Sequence, residues 1–234
     1  MCMEDLALWI TYHKDSQIEE YSLKEYDMYH LYKGNDIAVV GANINHLNQF
    51  YSELTTFYWV WKNHVFSKVI GFCHYRRIFS QIVELDRGTC QVWKICHLGH
   101  SVYQDYKMAH NYNDMYDVIS ILNEKYGLKN IYTKYLLEGK IFIPCCSFIM
   151  CYEDFEKLCE FLFPILFAYD KKNRLYMNPE RYRQKAERDF RYDDVDYQQR
   201  AIAFLAERLI SAFLVLNMNL VSVLYYSQQT KNEK

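Results

Sequence analysis

The stretch Tyr51–Ser80, YSELTTFYWVWKNHVFSKVIGFCHYRRIFS, does most to restrict what this chain can become. Tyr51, Leu54, Phe57, Tyr58 and Trp61 recur at three- and four-residue steps, which makes one helical face apolar, and Asn63-His64 ends the run. Lys68–Cys73, KVIGFC, is apolar and partly β-branched. It is too short for a helix and long enough for a buried strand. His74-Tyr75-Arg76-Arg77 follows at once. Helix, turn, strand and polar burst in that order predict cations delivered to the C-terminal edge of a sheet, where ligands of open α/β sheets sit. Two arginines and a histidine at such an edge are costly without partners. A diphosphate would suit the guanidinium forks, and carboxylates of a neighbouring helix would suit them equally. Tyr75 reads as packing. His74 reads as a hydrogen-bonded structural residue or a member of the site.

The chain of 234 residues can bury a full core, and residues 1–226 read as one domain with a polar tail at 227–234. Only 7 glycines and 3 prolines argue against a propeller, a sandwich or a disordered chain, and for many helices with economical loops. A net charge of −2 gives no reason to expect nucleic acid as a partner. The 8 cysteines form no CxxC pair and mostly lie in apolar runs, behind a start that does not resemble a signal peptide. Free thiols in a reducing cytoplasm are the expectation. Cys90, Cys96, His97 and His100 match no common zinc spacing. No apolar run is long enough to span a bilayer.

Taken in order, Leu6–Tyr12 is a candidate first strand, with His13-Lys14-Asp15 at its end. That resembles the first strand–helix junction of a nucleotide-binding sheet, without its glycine-rich fingerprint. Ser16–Gly34 is expected to hold a short helix and Asp36–Val40 a second strand. A turn-rich loop containing Asn45 leads to Asn48, a candidate N-cap for the central helix, with Glu53 complementing the dipole of its first turns. Gln81–Gly99 fits a helix or a hairpin. Ser101–His110 and Asn113–Tyr126 read as helices, the second closed by Gly127. Asp105, Tyr106, His110 and Asp114 fall at helical spacing and form either a sugar site or a solvated face.

Lys140–Cys151 reads as a strand pair broken at Pro144–Ser147, and Tyr152–Asp170 as a helix bent or interrupted near Pro164. Lys171–Arg191 is strongly charged: a solvated helix by default, otherwise a lid or a contact with an anionic membrane surface. Asp194-Val195-Asp196 is a formal Asp-x-Asp, the carboxylate pair that can hold a divalent cation on a diphosphate. It precedes a helix, so a capping role is favoured. Tyr197–Leu216 is a strong helix in which Glu207-Arg208 interrupts a nearly apolar run. A buried Glu207 needs a partner or a proton. It would act as a general base or hold a sugar hydroxyl, or else pair internally with Arg200, Arg76 or Arg77.

Several runs together resemble one family: Tyr12-His13-Lys14, GANINHLNQFYSELTTFYWVWKN, GFCHYRRIF, VYQDYKMAH and YQQRAIAFLAERL, in that order over nearly the whole chain. The family is that of bacterial capsular and exopolysaccharide biosynthesis glycosyltransferases, long catalogued as a domain of unknown function. Cys145-Cys146-Ser147 departs from the asparagine-containing turn expected before FIM. The resemblance implies a single GT-A-like α/β domain, with a mostly parallel central sheet flanked by helices and a helix-rich C-terminal part. It implies a hexosyltransferase that moves a sugar from a nucleotide sugar, a UDP-sugar foremost, to a growing lipid-linked or oligosaccharide acceptor. The expected setting is cytoplasmic, with peripheral contact at the inner membrane. The alternative is an inactive sugar-nucleotide-binding or scaffold subunit of the same assembly.

On this reading Glu207, His74, Arg76 and Arg77 are catalytic, and His13, Lys14, Asn45, Glu53, Tyr75 and Arg208 bind the donor. Asp105, His110 and Asp114 bind the acceptor. Glu53 and His110 are the other candidates for the base. Arg76 and Arg77, with His74, stand in for a metal at the departing diphosphate, so no cofactor is required. Manganese or magnesium on Asp194 and Asp196 is the fallback.

Overall fold

The computed structural model describes residues 5–25, 28–79, 81–189 and 194–222, with the backbone of 226–227. In chain order the elements are β1 Leu6–Tyr12, α1 Ser16–Glu20, β2 Tyr29–Lys33, α2 Asn48–Tyr51, α3 Leu54–Lys62, β3 Val69–His74 and β4 Arg77–Ile78. Then come β5 Thr89–Val92, β6 Cys96–His97, α4 Val102–Ala109, α5 Tyr112–Tyr126, α6 Ile131–Glu138, β7 Ile141–Phe142 and β8 Phe148–Cys151. The last are α7 Tyr152–Lys172, α8 Pro179–Glu187, α9 Val195–Gln198, α10 Ala201–Asn217, β9 Asn219–Ser222 and β10 Tyr226–Ser227.

Every residue of β3 is buried, as a strand covered on both faces must be. It lies parallel to β1, which in turn lies parallel to β2, and β5 lies parallel to β9. Antiparallel β8 joins the two groups by pairing with both β3 and β5. The central sheet is therefore mixed, with most of its paired positions in parallel register and helices on its faces. Gly71 of β3 is there because nothing larger fits. A Cβ at that point would lie 2.4 Å from Leu8 Cδ2 and 2.8 Å from Ile149 Cγ1.

The apolar stripe of α3 meets the sheet through Phe57, whose ring is 4.1 Å from Phe72 of β3 and 5.4 Å from Phe148 of β8. Phe155 of α7 closes this cluster at 4.9 Å from Phe72. Burying each such ring contributes roughly 1.5–3 kcal/mol. The C-terminal part is helical: α10 is buried along most of its length. Ser211 on it accepts the Ile143 amide at 2.9 Å, tying the chain after β7 to the helix.

Several expectations from sequence need correction. The helix in Ser16–Gly34 is only α1, and the second strand is β2, not Asp36–Val40, which forms a loop with Ile37 and Val40 exposed. β2 is half-buried and pairs with a strand distant in sequence, so its YHLYK pattern looked local and polar. The central helix is broken at Ser52, which adopts φ 51° and divides α2 from α3. Asn48 is the first residue of α2, not an N-cap, and its amide bridges the break by donating to Ser52 O and Thr55 Oγ1. Gln81–Gly99 is neither helix nor hairpin, because β5 and β6 belong to different sheets. β7 and β8 are likewise not paired with each other, and β7 pairs with β6. Helix α7 runs through Pro164 without interruption.

Within Lys171–Arg191, α8 is pinned rather than free: Tyr182 donates to Asp170 and Lys185 pairs with Asp114. Phe190 and Arg191 lie outside the described residues, as do Tyr192, Asp193 and tail residues 228–234. No helix among the described residues is long and apolar enough to cross a membrane.

Candidate functional site

The C-terminal ends of β1 and β3, the break at Ser52 and the junction of α9 with α10 converge on two adjoining cavities. The larger, about 660 Å³, is lined by Thr11, Tyr12 and His13 from the end of β1 and by Asn45, Asn48 and Gln49 beneath it. The smaller, about 330 Å³, is lined by Tyr51, His110, Cys145, Tyr197, Phe204 and Glu207 among others. Glu53, His74, Arg76 and Arg200 line both, so these four mark the junction.

His74 closes β3. Its amide donates to Ser147 Oγ at 3.3 Å, and its Nδ1 accepts the Arg76 backbone N–H at 3.1 Å. A neutral imidazole whose Nδ1 is an acceptor carries its proton on Nε2. That nitrogen points toward Glu53 Oε1, 3.6 Å away. Burial first, then Arg76 and Arg77, push the His74 pKa down to about 3. At neutral pH it therefore carries no charge, and the positive potential at the junction falls to the arginines. The two-residue turn Tyr75-Arg76 brings the chain back along β4, with His74 opposite Arg77. The Arg77 guanidinium lies 4.8 Å over the Trp93 ring and lines only the smaller cavity. Tyr75 packs on the rings of His74 at 4.2 Å and Tyr21 at 5.1 Å, as a wall residue would.

The sequence offers Arg200 only as a partner for Glu207. It sits in the break between α9 and α10, and its Nη2 donates to Ser52 Oγ at 2.9 Å. The signal that could have found it is a cation directly ahead of a nearly apolar helix, the end where an anion is welcome. Arg200 and Arg76 both depress the His13 pKa, after burial and Lys14. His13 thus faces the same positive field. Lys14 is exposed and outside the lining of either cavity. Asn45 lines the larger cavity with its amide already engaged: it accepts from Tyr32 Oη at 3.0 Å and donates to Asp36 O at 2.7 Å.

Glu207 finds its partner next door in sequence. Its Oε2 accepts from Arg208 at 3.0 Å, and its Oε1 accepts the Cys145 amide at 2.9 Å. Arg208, only 6% exposed, also reaches Asp105 at 3.1 Å. The Cys145-Cys146 turn is left-handed at both residues, φ 71° and 48°, and this is what aims the Cys145 amide at Glu207. Burial pushes the Cys145 thiol up to about 11, so it is not a thiolate at neutral pH. His110 stacks on Phe204 at 4.0 Å and on Tyr197 at 5.8 Å. Burial lowers its pKa to about 4.

Of the predicted acceptor residues, His110 lines the smaller cavity and Asp105 supports it through Arg208, while Asp114 is elsewhere. Asp114 accepts from Tyr169 at 2.8 Å and pairs with Lys185, bracing α8. Asp194 caps α9 by accepting the Tyr197 amide at 2.9 Å, and Asp196 pairs with Arg183 at 2.8 Å. Neither lines the two cavities. Among the described residues no group of three or more His, Cys, Asp or Glu is arranged to hold a metal ion.

A solved structure with the same fold is that of the apo form of WbbM, a bifunctional glycosyltransferase: 19% identity, TM-score 0.70, covering 97% of this chain and 46% of that one. The chain thus spans just under half the length of WbbM. No curated protein sequence matches it. A family model described as "Domain of unknown function (DUF4422)" matches residues 23–218, and the chain belongs to that family.

Proposed function

We propose that the protein is a glycosyltransferase that uses a nucleotide sugar. The observation that carries this reading is the pair Arg76 and Arg200 at the junction of the two cavities. A nucleoside diphosphate in the larger cavity would present its phosphates to these guanidinium groups and its sugar to the junction. The acceptor hydroxyl would arrive from the smaller cavity, where the stacked rings of His110, Phe204 and Tyr197 offer a platform for a sugar face. Fixed cations at the leaving diphosphate act where negative charge develops, each well-placed donor supplying roughly 3 kcal/mol. The fold shared with WbbM supports the same reading. A UDP-hexose donor and a capsular or exopolysaccharide acceptor at the cytoplasmic membrane face complete the proposal. They rest on the family resemblance of the sequence.

Arginine clamping assigns the role of a metal to side chains, so turnover is expected to survive EDTA. Full loss in chelator, restored by manganese, would refute that assignment. The defining experiment is calorimetric titration with UDP, GDP, CMP and dTDP sugars, with and without manganese. One nucleotide should bind without metal, and the Arg76→Ala/Arg200→Ala variant should lose that binding. Binding with no turnover on any acceptor or on water would favour a sugar-nucleotide-binding subunit.

A further inference from the structure

Glu53 is the one carboxylate, among the described residues, that lines both cavities. The left-handed turn at Ser52 sets it at the start of α3 and leaves its side chain 22% exposed. Its carboxylate makes no hydrogen bond to another side chain among the described residues; it is held by its own backbone N–H, and His74 Nε2 lies 3.6 Å from Oε1. The other groups at the junction are engaged. Both oxygens of Glu207 accept hydrogen bonds. His74 holds its proton on Nε2, and His110 packs against the rings of Phe204 and Tyr106, with Nδ1 3.4 Å from Gln198 Oε1.

We propose, resting on the glycosyltransferase reading above, that Glu53 and not Glu207 is the base that takes the proton from the acceptor hydroxyl, which makes the transfer an inverting one. The acceptor oxygen attacks the anomeric carbon from the face opposite the diphosphate. Its proton passes to Glu53 as the new C–O bond forms. The bond from the anomeric carbon to the phosphate oxygen breaks, and its electron pair leaves with the nucleoside diphosphate, held by Arg76 and Arg200. Glu207 is a positioning residue: it holds the Cys145 amide and Arg208, and with them the wall of the acceptor cavity.

The electrostatics agree with a base. Burial raises the Glu53 pKa and Glu207 adds to the rise, while its own backbone N–H, Arg200 and Arg76 oppose it, with a net direction upward. The neutral His74 ring and the protonated Cys145 and Cys146 thiols also face it. A carboxylate lifted toward neutrality is a stronger proton acceptor than an ordinary one. The rate should therefore fall in acid through a pKa above the usual carboxylate range of about 4.3.

The test compares wild type, Glu53→Gln and Glu53→Asp, using hydrolysis of UDP-glucose, UDP-galactose and the wider nucleotide-sugar panel with water as acceptor. Proton NMR reads the first-formed anomer, calorimetry reads UDP binding, and thermal melting reads folding. Glu53→Gln should fold, bind UDP within about threefold of wild type, and turn over at least ~100-fold more slowly. Glu53→Asp should keep part of the rate with its acid limb displaced, and wild type should release the sugar with inverted configuration. Retained configuration, or Glu53→Gln within tenfold of wild type, overturns the base assignment alone. Wild type that binds no nucleotide overturns the donor reading, and the base falls with it. If Glu53→Gln does not fold, Glu53→Asp with an unmoved pH profile overturns the assignment.

Discussion

Acid should loosen this protein well above the pH at which carboxylates titrate, and His110 allows the effect to be measured one residue at a time. His110 is 3% exposed and its pKa is lowered to about 4 from 6.5. A histidine whose pKa is depressed by folding contributes stability above its unfolded pKa and loses it as the pH falls toward the folded value. At pH 5 the unfolded imidazole is almost fully protonated while the folded one is mostly neutral. That difference shifts the folding equilibrium by a factor of about 30, or about 2 kcal/mol, relative to pH 8. His74, lowered to about 3, adds a similar amount. Glu53 and Asp114 work in the opposite sense, since folding raises their pKa values and so favours the folded state in acid. The measurement must therefore be a difference. Urea unfolding of wild type and His110→Gln at pH 8, 7, 6 and 5 should show the variant losing about 2 kcal/mol less than wild type between the extremes. His74→Gln should behave alike. Equal losses in wild type and His110→Gln would show that the ring is solvated or already charged in the native state, and the argument from burial would fail.

Arg208→Leu should cost about 3 kcal/mol by urea unfolding, because it strands Asp105 and Glu207 in a half-buried wall; a cost below about 1 kcal/mol would mean that water solvates them. Gly71→Ala should destabilise by about 1–3 kcal/mol, since its Cβ meets Leu8 and Ile149. On the proposed function it should also weaken UDP binding measured by calorimetry, because β3 leads directly into the turn that holds Arg76. Lys185→Met should cost about 3 kcal/mol and expose α8 to limited proteolysis, as it removes the cationic partner of the buried Asp114. Protease resistance equal to wild type would show that Tyr182 alone holds the helix.

Where local pattern and tertiary role coincide, the chain could be read directly. β1 has the predicted bounds, and β3 differs by a single residue at each end, because both are short apolar runs bounded by polar residues. The cationic burst after β3 was visible for the same reason. β2 was not, since a half-buried edge strand of tyrosine, histidine and lysine owes its conformation to the parallel partner β1. The break at Ser52 was hidden because no glycine or proline marks it, though it is what presents Glu53. Arg200 was hidden likewise: α9 and α10 read as one helix, and the two-residue interruption that aims Arg200 across to Ser52 is closed by contacts 148 residues apart in sequence. Asp114 shows the converse error. Its helical spacing from His110 is real, but the break between α4 and α5 turns the two residues toward different neighbours.

The dependence of both cavities on α10 has a consequence for synthesis. A chain emerging N-terminus first presents β1, β3 and the arginine turn long before residues 200–208 leave the ribosome. Until then Arg76 lacks Arg200 opposite it, the Cys145 turn lacks Glu207, and the wall of the smaller cavity lacks Arg208. β9, which follows α10, adds its parallel register beside β5 later still. Nascent and truncated chains that stop before α10 therefore cannot hold a sugar nucleotide in the manner proposed. The proposed site is completed only once α10 has joined the sheet.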